Sequence, residues 1–152
     1  DFQLIGVFDP AVGSAFAEIL ARLGRKVAWA VHGTTETGAG MDEISTLGTS
    51  TVWAASGPDR VKSTIEPSLL GLAPATVADL AGGDAAVNAA ILSGILDGSL
   101  TGPKRDLVAL NAAAGLVITG FAGDLVDGLK KANEAIDSGA ALAVLERWRN
   151  FV

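Results

Sequence analysis

At 152 residues, with a hydrophobic content of 49% and a formal net charge of −6, the chain carries enough apolar material for one folded domain and lies outside the disordered range. The acidic balance offers no general attraction to nucleic acid or to an acidic membrane surface, so any phosphate has to be held locally. Cysteine is absent, which excludes disulfide frameworks, thiol nucleophiles and cysteine-ligated zinc.

The chain enters a strand-like run at once, with neither a basic leader nor a cleavage-site pattern before it, and an internal start at Asp1 is the expectation. Leu4 to Phe8 reads as a strand closed by Asp9-Pro10, with Asp9 capping a helix on which Phe16, Ile19, Leu20 and Leu23 recur at helical spacing. Gly24 stands where a left-handed C-cap is expected. A second strand runs from Lys26 to Val31, and a strand-helix-strand crossover of this length predicts a parallel pair with a right-handed connection. Gly33 to Gly48 is rich in Gly and Thr and lacks apolar periodicity, which predicts a loop with room to move. Thr51 to Ala55 and Val61 to Ile65, around Gly57-Pro58-Asp59, predict an antiparallel hairpin.

Beyond Pro67 the pattern turns irregular and then helical. Asp84 is placed to cap a helix over Ala85 to Leu96, with Val87, Ala90, Ile91, Ile95 and Leu96 broadly on one face. Further helices are expected from about Arg105 to Phe121, Asp124 to Asp137 and Gly139 to Phe151. Leu107 to Gly123 is uncharged but shorter than the roughly 20 residues that span a bilayer, so a helix buried on most sides is expected and no membrane span. The fold class is therefore α/β: a mixed, largely parallel sheet flanked by helices, with a hairpin and a helix-rich C-terminal half.

The stretch most suggestive of chemistry is Met41-Asp42-Glu43-Ile44-Ser45, two adjacent carboxylates in a loop after the second strand. Ligands of open α/β sheets gather outside the carboxyl ends of the strands, and two hard oxygen donors there suit a divalent cation with phosphates. The plainer reading, that the acids complement a helix dipole or bond their own loop, stays open. His32, the single histidine, has no second histidine to support a catalytic part and is read as structural. Gly82-Gly83-Asp84 could cradle an anion, but its acid would repel one, and a turn with an N-cap fits better. Asn88 and Asn111, set among apolar helical residues, are expected to bond backbone. Arg147-Trp148-Arg149 places cations at a helix end and a Trp against the core. Neither a G-x-G-x-x-G fingerprint nor a Walker A sequence occurs.

Taken in order, Ile5-Gly6-Val7-Phe8-Asp9-Pro10, Val31-His32-Gly33, Met41-Asp42-Glu43-Ile44-Ser45, Gly82-Gly83-Asp84 with Asn88-Ala89-Ala90, Asp106 through Asn111-Ala112-Ala113, and Ala135-Ile136-Asp137-Ser138-Gly139-Ala140-Ala141 resemble the anthranilate phosphoribosyltransferase family. The resemblance runs over nearly the whole chain. It implies a nucleoside-phosphorylase-like fold with a small helical domain and a larger α/β domain, of which residues 1–152 are the C-terminal part. It also implies transfer of phosphoribose from phosphoribosyl pyrophosphate to anthranilate in tryptophan biosynthesis, a cytoplasmic setting, and Mg2+ held against the pyrophosphate by Asp42 and Glu43.

The family's Gly-Thr-Gly-Gly-Asp loop, its Lys-His-Gly-Asn segment and the arginine that contacts anthranilate have no counterpart in this sequence. The resemblance thus implies a piece of a longer enzyme, inactive by itself, whose complete form is a homodimer through the helical domain. Two other readings stand beside it: a noncatalytic relative that binds nucleic acid or another ligand, and a pyrimidine nucleoside phosphorylase-like enzyme.

Overall fold

The computed structural model describes residues 1–151. Its strands are β1 (Phe2–Gly6), β2 (Val27–Thr34), β3 (Gly40–Met41), β4 (Ser50–Ser56) and β5 (Asp59–Ile65). Its α-helices are α1 (Gly13–Arg22), α2 (Val77–Leu80), α3 (Ala85–Leu96), α4 (Pro103–Ile118), α5 (Leu125–Asp137) and α6 (Ala140–Arg149). The expected class is borne out: a mixed sheet flanked by helices, a hairpin, and a helical C-terminal half. The share of parallel pairing is smaller than expected. Among the described residues β1 and β2 run parallel, whereas β2 with β4, β4 with β5, and β2 with β3 are antiparallel. The chain from β2 to β4 returns without a crossover helix, and only antiparallel neighbours can be joined that way.

Local signals account for the first unit. The Asp9 carboxylate accepts from the Ala11 N–H at 2.9 Å, but the turn it caps is 3-10, Pro10–Val12, and the α-helix proper starts at Gly13. Gly24 takes the left-handed conformation at φ 80°, and the Gly24 and Arg25 N–H groups close on the Ala21 and Leu20 carbonyls. The face that α1 buries coincides with the expected one only at Leu20. Gly13, Ala17 and Leu20 are buried, while Phe16, Ile19 and Leu23 are exposed. Small residues take the first two of these buried positions, and at Gly13 the helix lies directly on the sheet: a Cβ there would overlap the Trp53 ring.

Successive strand residues point to opposite faces, so β2 buries on both sides. Ala30 and Ala55 meet Ala17 of α1 on one face. On the other, Val31, Val52 and Ile65 pack with Ile44 and with Ala109, Leu110, Ala113, Ala114, Leu129 and Ala132 of α4 and α5. These helices approach closely, since a Cβ at Gly128 would stand 2.9 Å from Ala113 Cβ. Arg105 ties them further, bonding Asn133 at 2.9 Å and Asp137 at 2.8 Å. No helix among the described residues is long and apolar enough to cross a membrane.

The hairpin forms with Ser56 opposite Asp59 and Gly57-Pro58 between them, Gly57 supplying the positive φ that a two-residue connection needs. After Pro67 the backbone makes a 3-10 turn, Pro67–Leu70, and then the one-turn α2, which is too short for periodicity to signal. Asp84 and Asp124 cap α3 and α5 through the Val87 and Asp127 N–H groups at 2.9 and 2.8 Å. The apolar face expected on α3 is buried only at Ile95: Ile91 and Leu96 are half-buried, and Val87 and Ala90 are exposed. Trp148 is 74% exposed and covers no core, although Arg147 and Arg149 do stand in the last turn of α6.

Four surface carboxylates are held below their ordinary range by hydrogen bonds: Glu18 chiefly by Arg22, Asp79 by Thr76, Asp97 by Ser99 and Asp127 by Lys131. A carboxylate whose pKa is depressed in the fold stabilises it above the unfolded value, and that contribution is lost as pH falls through the folded one. Burial raises Asp106 and Glu43 and works the other way, that penalty relaxing in acid. The hydrogen-bonded group is the larger, so the urea midpoint is expected to fall between pH 6 and pH 3. Asp79→Asn should flatten part of that dependence, and a midpoint that holds or rises on acidification would contradict the assignment.

Candidate functional site: a carboxylate pair at the strand ends

The parallel strands β1 and β2 end side by side, the Val7 N–H donating to the Val31 carbonyl at 2.8 Å. Where β1 leaves the sheet, β3 takes its place on β2, pairing Met41 with Gly33 and Gly40 with Thr34. Asp42 and Glu43 come immediately after, at the carboxyl ends of both parallel strands, where the sequence placed them.

Two glycines make that approach possible. A Cβ at Gly6 would overlap the Asp42 carbonyl oxygen, and one at Gly33 would overlap the Glu43 carbonyl and stand 2.8 Å from Ser45 Cβ. The loop backbone is therefore seated directly on the strand ends, with no side chain between. Glycine is needed at Gly6 and Gly33 for space alone, since neither has a positive φ.

The expected mobile loop is instead anchored. Ile44 and Ser45 are fully buried and Thr46 nearly so. The Ile44 N–H donates to Asn111 Oδ1 at 3.0 Å, and Asn111 Nδ2 donates to the Ile44 carbonyl at 2.9 Å. The Ser45 N–H donates to Ser50 Oγ at 2.8 Å, while Ser45 Oγ donates to the Thr34 carbonyl at 2.6 Å and accepts from Leu47 N–H at 2.9 Å. Gly and Thr content signals an irregular backbone correctly, but the partners that fix it lie on β2, β4 and α4.

The carboxylates themselves face solvent. Glu43 is nonetheless pushed above the ordinary carboxylate range, first by desolvation of its carboxyl and then by the Asp42 charge and a hydrogen bond between the two groups. Desolvation and a neighbouring carboxyl group both disfavour the charged form of Glu43, and a cation held by the pair would offset that. Among the described residues no cluster of three or more His, Cys, Asp or Glu could enclose a metal. Two carboxylates could hold a hard ion only in part, leaving its other positions to waters or to phosphate oxygens. That is magnesium's habit, and it is not a cage for zinc or calcium.

The other candidates take structural roles. His32 is buried and its Nδ1–H donates to the Val7 carbonyl at 3.0 Å, fixing the end of β1. Asn88 brackets Gly83 as Asn111 brackets Ile44, accepting from its N–H and donating to its carbonyl, each at 2.9 Å. Both amides therefore bond backbone, as expected. Gly6 and Gly33 were not expected from the sequence as contributors to the site. The one signal they leave there is a glycine at the end of each parallel strand.

Comparison with known proteins agrees with this geometry. Residues 1–142 match the model of the glycosyl transferase family, a/b domain. Anthranilate phosphoribosyltransferase of Methylorubrum populi is 45% identical over 145 residues, covering 95% of this chain and 42% of that protein. That of Desulfatibacillum aliphaticivorans is 46% identical over 150 residues, covering 98% and 43%. Among solved structures, anthranilate phosphoribosyltransferase from Saccharomyces cerevisiae in complex with PRPP and Mg superposes with a TM-score of 0.85 at 27% identity, over 96% of this chain and 41% of that one. The chain spans about two-fifths of the length of the curated relatives it matches. With a carboxylate pair at the parallel strand ends and the family's match over 142 residues, the chain belongs to the glycosyl transferase family, a/b domain.

Proposed function

We propose that the chain is the C-terminal part of the large α/β domain of an anthranilate phosphoribosyltransferase, and that Asp42 and Glu43 hold magnesium against the pyrophosphate of phosphoribosyl pyrophosphate. The observation that carries this reading is the presentation of the pair on an anchored loop at the ends of β1 and β2. The relatives' names and the magnesium in a structural neighbour support it. When bound, the ion neutralises charge developing on the departing pyrophosphate.

This chain's own part is to place the donors. Gly6 and Gly33 let the loop sit against the strands, and the buried Ile44 plugs it into the core, so Asp42 and Glu43 meet the phosphates without a large reorganisation. The family's pyrophosphate loop and acceptor arginine are not among these residues, so the chain by itself is inactive in this reading. The intact enzyme, in the same reading, is a cytoplasmic homodimer assembled through the helical domain.

The test is an assay of the intact enzyme with anthranilate and phosphoribosyl pyrophosphate beside one with thymidine and phosphate. Magnesium-dependent consumption of anthranilate is the expected result. Thymidine phosphorolysis would turn the reading to a pyrimidine nucleoside phosphorylase, and salt-sensitive DNA binding without transfer would turn it to a noncatalytic relative.

A further inference from the structure

We propose that Asn111 is a positioning residue for the carboxylate pair: by bracketing Ile44 from α4, it sets where Asp42 and Glu43 stand and hence how tightly they hold the cation. This deepens the magnesium reading and rests on it. The carboxylate pair is flanked by two anchors. Met41 is paired to Gly33 in the sheet, and Ile44 is held at both its backbone groups by one amide, at 3.0 and 2.9 Å. The residues between these anchors are Asp42 and Glu43.

The bracket is itself fixed. Asn111 Nδ2 also donates to the Leu107 carbonyl one turn back along α4 at 3.0 Å, which orients the amide so that its oxygen faces the Ile44 N–H. Ile44 is fully buried, so loss of the amide leaves two backbone groups without the partner that fixes them. Without the amide the next backbone anchor is the Ser45 N–H on Ser50 Oγ, and the span carrying the carboxylates gains a residue. A longer span with two unsatisfied groups lets the carboxylates separate, as their mutual repulsion favours. Outer groups that orient metal ligands characteristically govern affinity for the ion.

Binding of Mn2+ to the intact enzyme with pyrophosphate present, monitored by electron paramagnetic resonance, is the direct readout, with turnover against Mg2+ concentration beside it. For Asn111→Ala and Asn111→Asp the Mn2+ dissociation constant is expected to rise by about 10-fold or more. The Mg2+ concentration for half-maximal rate should rise with it, while circular dichroism shows the variants folded. Asn111→Asp makes the sign diagnostic. It keeps the acceptor for the Ile44 N–H but sets a charged oxygen against the Ile44 carbonyl, so a cation drawn only by added negative charge would bind tighter. Mn2+ affinity that is unchanged or tighter in the folded variants would overturn the proposal, and should Asn111→Ala fail to fold, Asn111→Asp decides. The double variant D42N/E43Q separates the two claims. If it leaves Mn2+ binding intact, the magnesium reading fails; if it abolishes binding that both Asn111 variants retain, only the positioning role fails.

Discussion

Joint replacement of Asp42 by Asn and Glu43 by Gln in the intact enzyme is expected to lower turnover roughly 100-fold or more, since it removes the ligands themselves and loss of groups merely supporting a ligand already costs 10–100-fold. The fold should survive. Both side chains face solvent, and the Glu43 carboxyl is pushed above the ordinary range by desolvation and by the Asp42 charge beside it. Neutral amides relieve that repulsion, so the melting temperature of the variant is expected to equal or exceed that of the wild type. A pair kept for stability would give the reverse pattern: full turnover, unchanged magnesium dependence and a lower melting point. Measuring rate against Mg2+ and thermal unfolding by circular dichroism distinguishes the two. The same logic makes Asp42→Glu a graded test, because one extra methylene displaces a ligand of an ion that demands tight geometry.

The largest expected effect on stability comes from a single methyl group. Gly6→Ala sets a Cβ into the Asp42 carbonyl oxygen, with backbone on both sides of the collision. Gly6 is paired with Val31 in the parallel ladder and Ile44 is fixed by Asn111, so neither segment can yield without breaking its own hydrogen bonds. A loss of about 3 kcal/mol or more is expected, at the upper end of overpacking effects. For a chain of this size that is a fall of roughly 6–12 °C in melting temperature. Gly115→Ala is the internal comparison: it lies inside α4 and a Cβ there meets nothing within 4 Å. It should stabilise by about 0.5–1 kcal/mol through helix propensity alone. If both substitutions proved equally harmless, the close seating of the loop on β1 would be wrong.

Short-range chemistry is the legible part of the sequence. Asp9, Asp84 and Asp124 cap the turns that begin after them because a carboxylate two or three residues ahead of an N–H needs no distant partner. Gly24 ends its helix for an equally local reason. Alternation and turn residues account for the hairpin, and crossover length for the parallel pair. Helix faces are less legible. Phe16, Ile19, Leu20 and Leu23 carry the apolar period of α1, yet packing on the sheet buries only Leu20 of these, together with Gly13 and Ala17. In α3 the residues are apolar nearly all round, so periodicity has no face to choose, and most of the helix stays exposed.

The types of the longer elements, their caps, and the acidic couple with its place after a strand are written in the chain itself, because each is set by residues within a few positions of one another. That the couple is held fast is a property of the packed molecule alone. It depends on Asn111, 67 residues away from Ile44, and on Gly6 and Gly33, whose missing side chains leave room for a backbone that arrives from elsewhere in the chain. Neither an amide's partner nor an empty volume leaves a periodic mark, and both exist only once helices and sheet bring distant backbone within reach.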